Sequence, residues 1–407
     1  MESLLGFFSL LTIFFFILGS TKKNIDIKRL LLVAFLLRAI PVVLDQFNFI
    51  ILPDGYSDAA KFESEAIVFS RDRGLSVVFD FFLTDSLLIS RIISIFYTIF
   101  GESKMMAQSI SVGLGVGSVY LVYKLCLILW DYHSAKKAAW VTAIFPTLIL
   151  YSCLTLRESY IVFFLLTGML GIVKFIRTNS FTSFLQVIFS FFILVFFHGP
   201  ISVGGFVFLA YFTLTLIKDQ LIKLYHLKVN ILSFALIILS SIPLILIYKG
   251  TISLPYIGSM DTLFNLEAYL PRINSAIRDS ASYPVWFVIN SNYEIYTKGI
   301  FKIFYFLYSP FIWDIKSTHH LIGVFDGTLY ILLTIYLIKN WHGIWENPAM
   351  RILLLIFIVY IAMYGLGVGN FGTGIRHRSK FVVILIVLAA PKLHKFIFSV
   401  KKKLYKK

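Results

Sequence analysis

Apolar residues fall along this chain in long stretches separated by short polar windows. They lie at roughly 3–19, 30–46, 106–130, 138–154, 159–175, 182–198, 200–217, 230–248, 320–338, 350–367 and 380–396. A helix of about 20 apolar residues crosses the ~30 Å hydrocarbon layer of a bilayer. The pattern therefore predicts an all-α polytopic membrane protein of about eleven transmembrane helices, folded as one membrane domain over residues 1–407. The first stretch has no basic leader and no small-residue cleavage site, so a retained helix is expected there. Two longer polar segments, 46–105 and 248–319, are expected as large loops on the outer side. The first contains LPDGYSDAAKFESEA, where Asp54, Asp58, Glu63 and Glu65 crowd between apolar spans. A charge left in hydrocarbon costs ~2.5–3.5 kcal/mol even on lenient scales, so this window must be solvated. Further on, VVFDFFLTDSLLISRIISIFYTIFG interleaves apolar residues with Asp80, Asp85 and Arg91. Counting that run as a span would invert every later loop, so we read it as an amphipathic helix lying in the membrane interface.

Composition agrees with this class. Of 407 residues, 58% are hydrophobic and 14% charged, which excludes a soluble globule. The net charge of +16 is distributed by side. With the loop after the first span placed inside, the inner segments gather Lys22, Lys23, Lys28, Arg29, Lys136, Lys137, Lys174, Arg177 and the lysine-rich tail. Against these stand only Asp26, Asp131, Asp219 and Glu346, as positive-inside topology requires. Basicity is thus a topology signal. No basic run is interleaved with stacking aromatics, so nucleic acid is not an expected partner. The tail KKKLYKK suits anionic lipid headgroups, and the C-terminus is expected in the cytoplasm. Cys126 and Cys153 have no framework spacing, and there is no zinc, Walker or dinucleotide pattern. Gly113, Gly115 and Gly117 lie inside an apolar span, where close helix packing is the reading.

The candidate chemistry lies outside. Besides the acidic window, two short outer turns carry charge: YSCLTLRES, with Arg157 and Glu158, and GVGNFGTGIRHRSK, with Arg376, His377 and Arg378. Guanidinium forks hold phosphate or diphosphate in bidentate contacts. A carboxylate can take the proton of an attacking hydroxyl. Together they describe group transfer from a lipid-linked phosphate donor to a hydroxyl acceptor, with the leaving anion stabilised by arginine. Each residue also has a structural reading. Asp58 or Asp54 could cap the helix DAAKFESEA, and Glu158 could pair with Arg157 or Lys104. Glu63 and Glu65 are read as solvated helix charges, and His198 as a wet interfacial histidine. Arg38, deep in the second span, needs a polar partner such as Asp45 or a role toward substrate.

The order of PDGYSDAAKFESEA, SRIISIFYTIFGES, SVYLVYKLCLILWDYHSAKKAAWVTAIFPTLILYS and LRESYIVFFLL resembles the amino-terminal module of the GT-C superfamily of membrane glycosyltransferases. SPFIWD, GNFGTGIRHR, the chain length and the phenylalanine content are similar to O-antigen polymerases of the Wzy type. The resemblance implies a multi-pass bacterial inner-membrane enzyme with its active site on the periplasmic side. Its partners would be undecaprenyl-linked sugar donor and acceptor, the lipid bilayer, and a chain-length-regulating membrane protein. It implies Asp58 as general base, with Asp54 second, and Glu158 orienting the base or binding metal. Arg376, His377, Arg378 and Arg157 would hold the diphosphate, with Arg38 a further candidate, and Arg272 and Arg278 would hold the acceptor. Tyr283, Trp286, Tyr293 and Tyr296 could stack on sugar rings. The resemblance fixes no cofactor; a divalent Mg²⁺ or Mn²⁺ ion would suit the carboxylates, which equally suit base catalysis alone. A GT-C enzyme adding a single sugar, and a transporter or flippase for lipid-linked oligosaccharide, are the alternative readings.

Overall fold

The structure, a computed structural model, describes residues 2–21, 24–83, 85, 87–226, 231–249, 270, 274, 282–315 and 318–393. Among these there are helices and no strands. Six helical stretches are long and apolar enough to cross a membrane: Glu2–Ser20, Lys104–Leu129, Glu158–Thr178, Phe181–Tyr225, His320–Lys339 and Pro348–Gly367. The tail at 401–407, with Arg272 and Arg278, lies outside the described residues.

Helix α1 (Glu2–Ser20) leads into α2 (Ile25–Gln46), whose first turn is capped by the Asn24 side chain. Then come α3 (Asp58–Asp72) and α4 (Leu88–Phe100), packed against each other on the segment expected to hold interfacial helices. At 13 residues, α4 is about 20 Å long and too short to cross the hydrocarbon layer. Its Ile89, Ile93 and Tyr97 are buried while Ile99 and Phe100 are exposed, the two-faced pattern anticipated for this run.

Helix α5 (Lys104–Leu129) is the hub, packing against α1, α2, α6 (Tyr132–Ile144) and α8 (Glu158–Thr178). Its glycines permit this. A Cβ at Gly115 would lie 2.5 Å from Ser152 Oγ and 2.9 Å from Arg38 Nε, and one at Gly117 would lie 2.8 Å from the Phe163 ring. The stretch predicted as one span at 138–154 is broken. Phe145, extended at φ −66°, ψ 120° because Pro146 follows, separates α6 from the short α7 (Pro146–Ser152).

Helices α9 (Phe181–His198) and α10 (Val203–Tyr225) fold back on each other through a 3-10 turn at Gly199–Ser202. Gly204 and Gly205 face Phe191, and Phe208 and Phe212 meet Phe184. Helix α11 spans Ile231–Tyr248. Within the second expected outer segment, α12 (Asn292–Tyr308) is a 17-residue helix lying against α15 (Pro348–Gly367). Between them in the chain are α13 (Thr318–Lys339) and α14 (Trp341–Glu346). GNFGTGIRHR, read from its glycines as a turn, is the helix α16 (Phe371–Arg378), because the Asn370 side chain accepts from the amides of Gly372 and Thr373. Every residue of α17 (Val382–Ala389) is buried, so this part of the last predicted span is enclosed by protein.

Candidate functional site

Three elements bring their ends together. The amino-terminal residue of α3 is Asp58, that of α8 is Glu158, and α16 presents Arg376 between them. Both acids occupy first turns, where the helix dipole favours negative charge. Arg376 donates from Nε to Glu158 Oε1 at 2.8 Å, from Nη2 to Glu158 Oε2 at 3.4 Å, and from Nη1 to Asp58 Oδ2 at 2.5 Å. Asp58 is not a helix cap: Ser57 holds that position, and the Asp58 carboxylate turns to Arg376. Neither Arg157 nor Lys104, the structural alternatives expected for Glu158, forms an ion pair with it, although the Arg157 charge acts on it from farther away. Lys104 instead binds Asp45 at 2.9 Å, and Glu158 has Arg376 and Lys380.

Burial grades the cluster. The Asp58 side chain is 52% exposed, that of Arg376 15%, and that of Glu158 1%, so the cluster has a wet side and a dry side. Asp54 sits at the wet edge on a loop with φ +64°, a left-handed conformation that aspartate tolerates better than most residues. Desolvation pushes its carboxyl above the ordinary range, Glu158 and Asp58 add to this, and Arg376 opposes it. Burial works against the charge on Arg376, but Glu158 and Asp58 outweigh it and raise its pKa, so it is a permanent cation.

The three basic residues at 376–378 diverge because successive helical residues point ~100° apart. Arg376 alone reaches the acids. His377 turns inward to Lys380, whose Nζ lies 2.9 Å from Nδ1, and its ring meets those of His198 and Tyr364. Burial, then Lys380, His198, Arg376 and Arg157, push His377 well below the usual histidine range, which disfavours the cationic form expected to hold a diphosphate. Arg378 points into the protein, donating from Nε and Nη2 to Asp326 Oδ2 at 2.9 and 2.7 Å and from Nη1 to the carbonyl oxygens of Phe306, Leu307 and Ser309. With 1% exposure on both partners, this pair clamps the end of α12 and is closed to an external ligand. Asp326 went unnoticed in the sequence although a lone acid within an apolar span is itself a signal.

Arg38 is also structural. It donates to the carbonyl oxygens of Ala34, Ala143 and Thr142 and to Ser152 Oγ, not to Asp45. Beside it lies a cavity of about 20 Å³, lined also by Ser118, Tyr151, Glu158 and Ser379, with room for one water. His198, expected to be wet, is buried with Tyr364 Oη 3.2 Å from Nδ1. Tyr283 is buried, whereas Trp286, though stacked on Phe287, is exposed together with Tyr293 and Tyr296. Arg157 lies close by, with Nη1 donating to the Phe197 carbonyl, its guanidinium over the Phe62 ring, and its buried Nε making no hydrogen bond. Glu63, expected to be solvated, is half-buried near Lys104, Glu2, Asp45 and Tyr97.

Among the described residues, no group of three or more His, Cys, Asp and Glu is arranged to hold a metal ion. Arg376 already occupies the two carboxylates closest to that description. The chain matches no protein-family model and no curated protein.

Proposed function

We propose that this chain is a membrane glycosyltransferase of GT-C type that uses polyprenyl-diphosphate-linked sugars at the periplasmic face of a bacterial inner membrane and polymerises surface-polysaccharide repeat units. The observation that supports it is the Asp58–Arg376–Glu158 constellation, in which one guanidinium fork bridges an exposed and a buried carboxylate. An incoming diphosphate competes for Arg376, and the half-buried Arg157, whose charge acts on the same Glu158, is a second cation in the cluster. Losing Arg376 to the diphosphate frees Asp58, the exposed carboxylate, to act as general base, with Asp54 next to it. The acceptor hydroxyl then attacks the sugar C1, its proton passes to Asp58, and the bond from C1 to the diphosphate oxygen breaks. The departing negative charge is held by Arg376 and Arg157. Glu158, buried and doubly paired, orients Arg376 and does not face the acceptor.

The test is the chain length of surface polysaccharide in a deletion strain complemented with wild-type, Asp58→Asn or Arg376→Ala protein at matched expression. Single-repeat product from both variants, with a full ladder from wild type, is expected. Full ladders from both variants refute the reading. A repeat unit short of one sugar would indicate single-sugar transfer, and lipid-linked repeat held on the cytoplasmic leaflet would indicate a transporter.

A further inference from the structure

Lys380 has no place in the mechanism above, yet it is completely buried, and from the turn that follows α16 its side chain reaches the same carboxylate as Arg376. Its Nζ lies 3.5 Å from Glu158 Oε1, behind the contacts of 2.8 and 3.4 Å that Arg376 makes with the same carboxylate. The Lys380 Nζ also lies 2.9 Å from His377 Nδ1 and 6.0 Å from the centre of the Tyr364 ring, so it is held in place by partners other than Glu158.

This arrangement answers a physical difficulty. Glu158 is 1% exposed, so if a ligand drew Arg376 away, a carboxylate cut off from bulk solvent would lose its nearest cation. Asp58 has no such difficulty, being half-exposed. We infer that Lys380 is a positioning residue that takes over the pairing of Glu158 when an anionic ligand takes Arg376, so that ligand binding does not leave a buried charge unpaired. The inference rests on the reading of Arg376 as a diphosphate-binding residue. In the empty protein Lys380 is the secondary partner of Glu158, and in the bound protein it is the primary one.

The experiment measures binding of geranylgeranyl diphosphate to the full-length protein in lipid nanodiscs, with thermal unfolding of each empty variant as the folding control. Arg376→Ala and Lys380→Met are each expected to weaken binding about tenfold or more, the second because Glu158 is stranded only in the bound state. Lys380→Arg, which keeps the charge, retains binding. The deciding variant is Glu158→Gln/Lys380→Met: with no carboxylate left to strand, its binding returns to within about threefold of wild type. A merely structural role for Lys380 would leave the double variant as weak as Lys380→Met, which overturns the inference. Binding that is sensitive to Arg376→Ala but unaffected by Lys380→Met overturns it too, leaving the diphosphate reading intact. Wild-type binding that is absent or insensitive to Arg376→Ala overturns both.

Discussion

Glu63 stands near the point where one end each of α1, α2, α4 and α5 approaches α3. Its neighbours there are Glu2, Asp45, Tyr97 and Lys104, and the Lys104 ammonium is already committed to Asp45 at 2.9 Å. Desolvation, with Glu2 and Asp45 adding to it, pushes the Glu63 carboxyl from 4.5 up to about 7. A carboxyl with a raised folded-state pKa binds its proton more readily folded than unfolded. Stability from this group is therefore greatest in acid and falls as pH rises from about 4.5 to about 7, beyond which the loss is complete. The thermal midpoint of the purified protein is expected to drop across that window, and Glu63→Gln to flatten the drop. An unchanged profile in the variant would assign the pH dependence elsewhere. At this scale the residue types were readable in advance and their surroundings were not: Glu63 reads as one more surface acid in AAKFESEA, and only its neighbours reveal it as a strained one. His377 and Arg378 are the same lesson beside Arg376, since three adjacent basic residues differ only in direction around one helix turn.

At the scale of elements, α5 carries a clear prediction. Gly115 is held between Ser152 and Arg38, whereas a Cβ at Gly113 would meet nothing closer than Ile13 at 3.5 Å. Gly115→Leu is expected to destabilise the protein by ~1–3 kcal/mol or more through overpacking, and Gly113→Ala to be nearly neutral, as read by thermal unfolding in detergent. Equal effects would mean the two positions are not distinguished by packing. That these glycines serve helix packing was legible, because an apolar span with no preceding strand leaves little else for them to do. That GNFGTGIRHR forms a helix was not. Its three glycines signal a turn, and the outcome depended on the Asn370 cap and on the close fit of Gly374 against Tyr283.

For the whole molecule, the distribution of lysine and arginine predicts that α3 and the Asp58–Arg376–Glu158 cluster face outward. Single cysteines at Tyr56 and Thr178, both exposed and expected from the charge distribution to lie on opposite sides, provide the check. In intact cells a membrane-impermeant maleimide is expected to label Tyr56→Cys and to spare Thr178→Cys. The reverse pattern would invert the orientation and place the cluster in the cytoplasm. Cys126 and Cys153 are fully buried and do not compete for the reagent.

The sequence by itself determined the helical class and the positions of stretches apolar enough to cross a membrane. These follow from hydrophobicity summed over ~20 neighbouring residues, a local quantity that needs no knowledge of the fold. The tertiary structure alone decided which charges meet. Arg376 joins Asp58 across 318 residues and Glu158 across 218, while Arg378 is drawn to Asp326 and away from the site. A buried ion pair forms only where packed helices exclude water from both partners at once, and that condition is set by the assembly of elements distant in the chain.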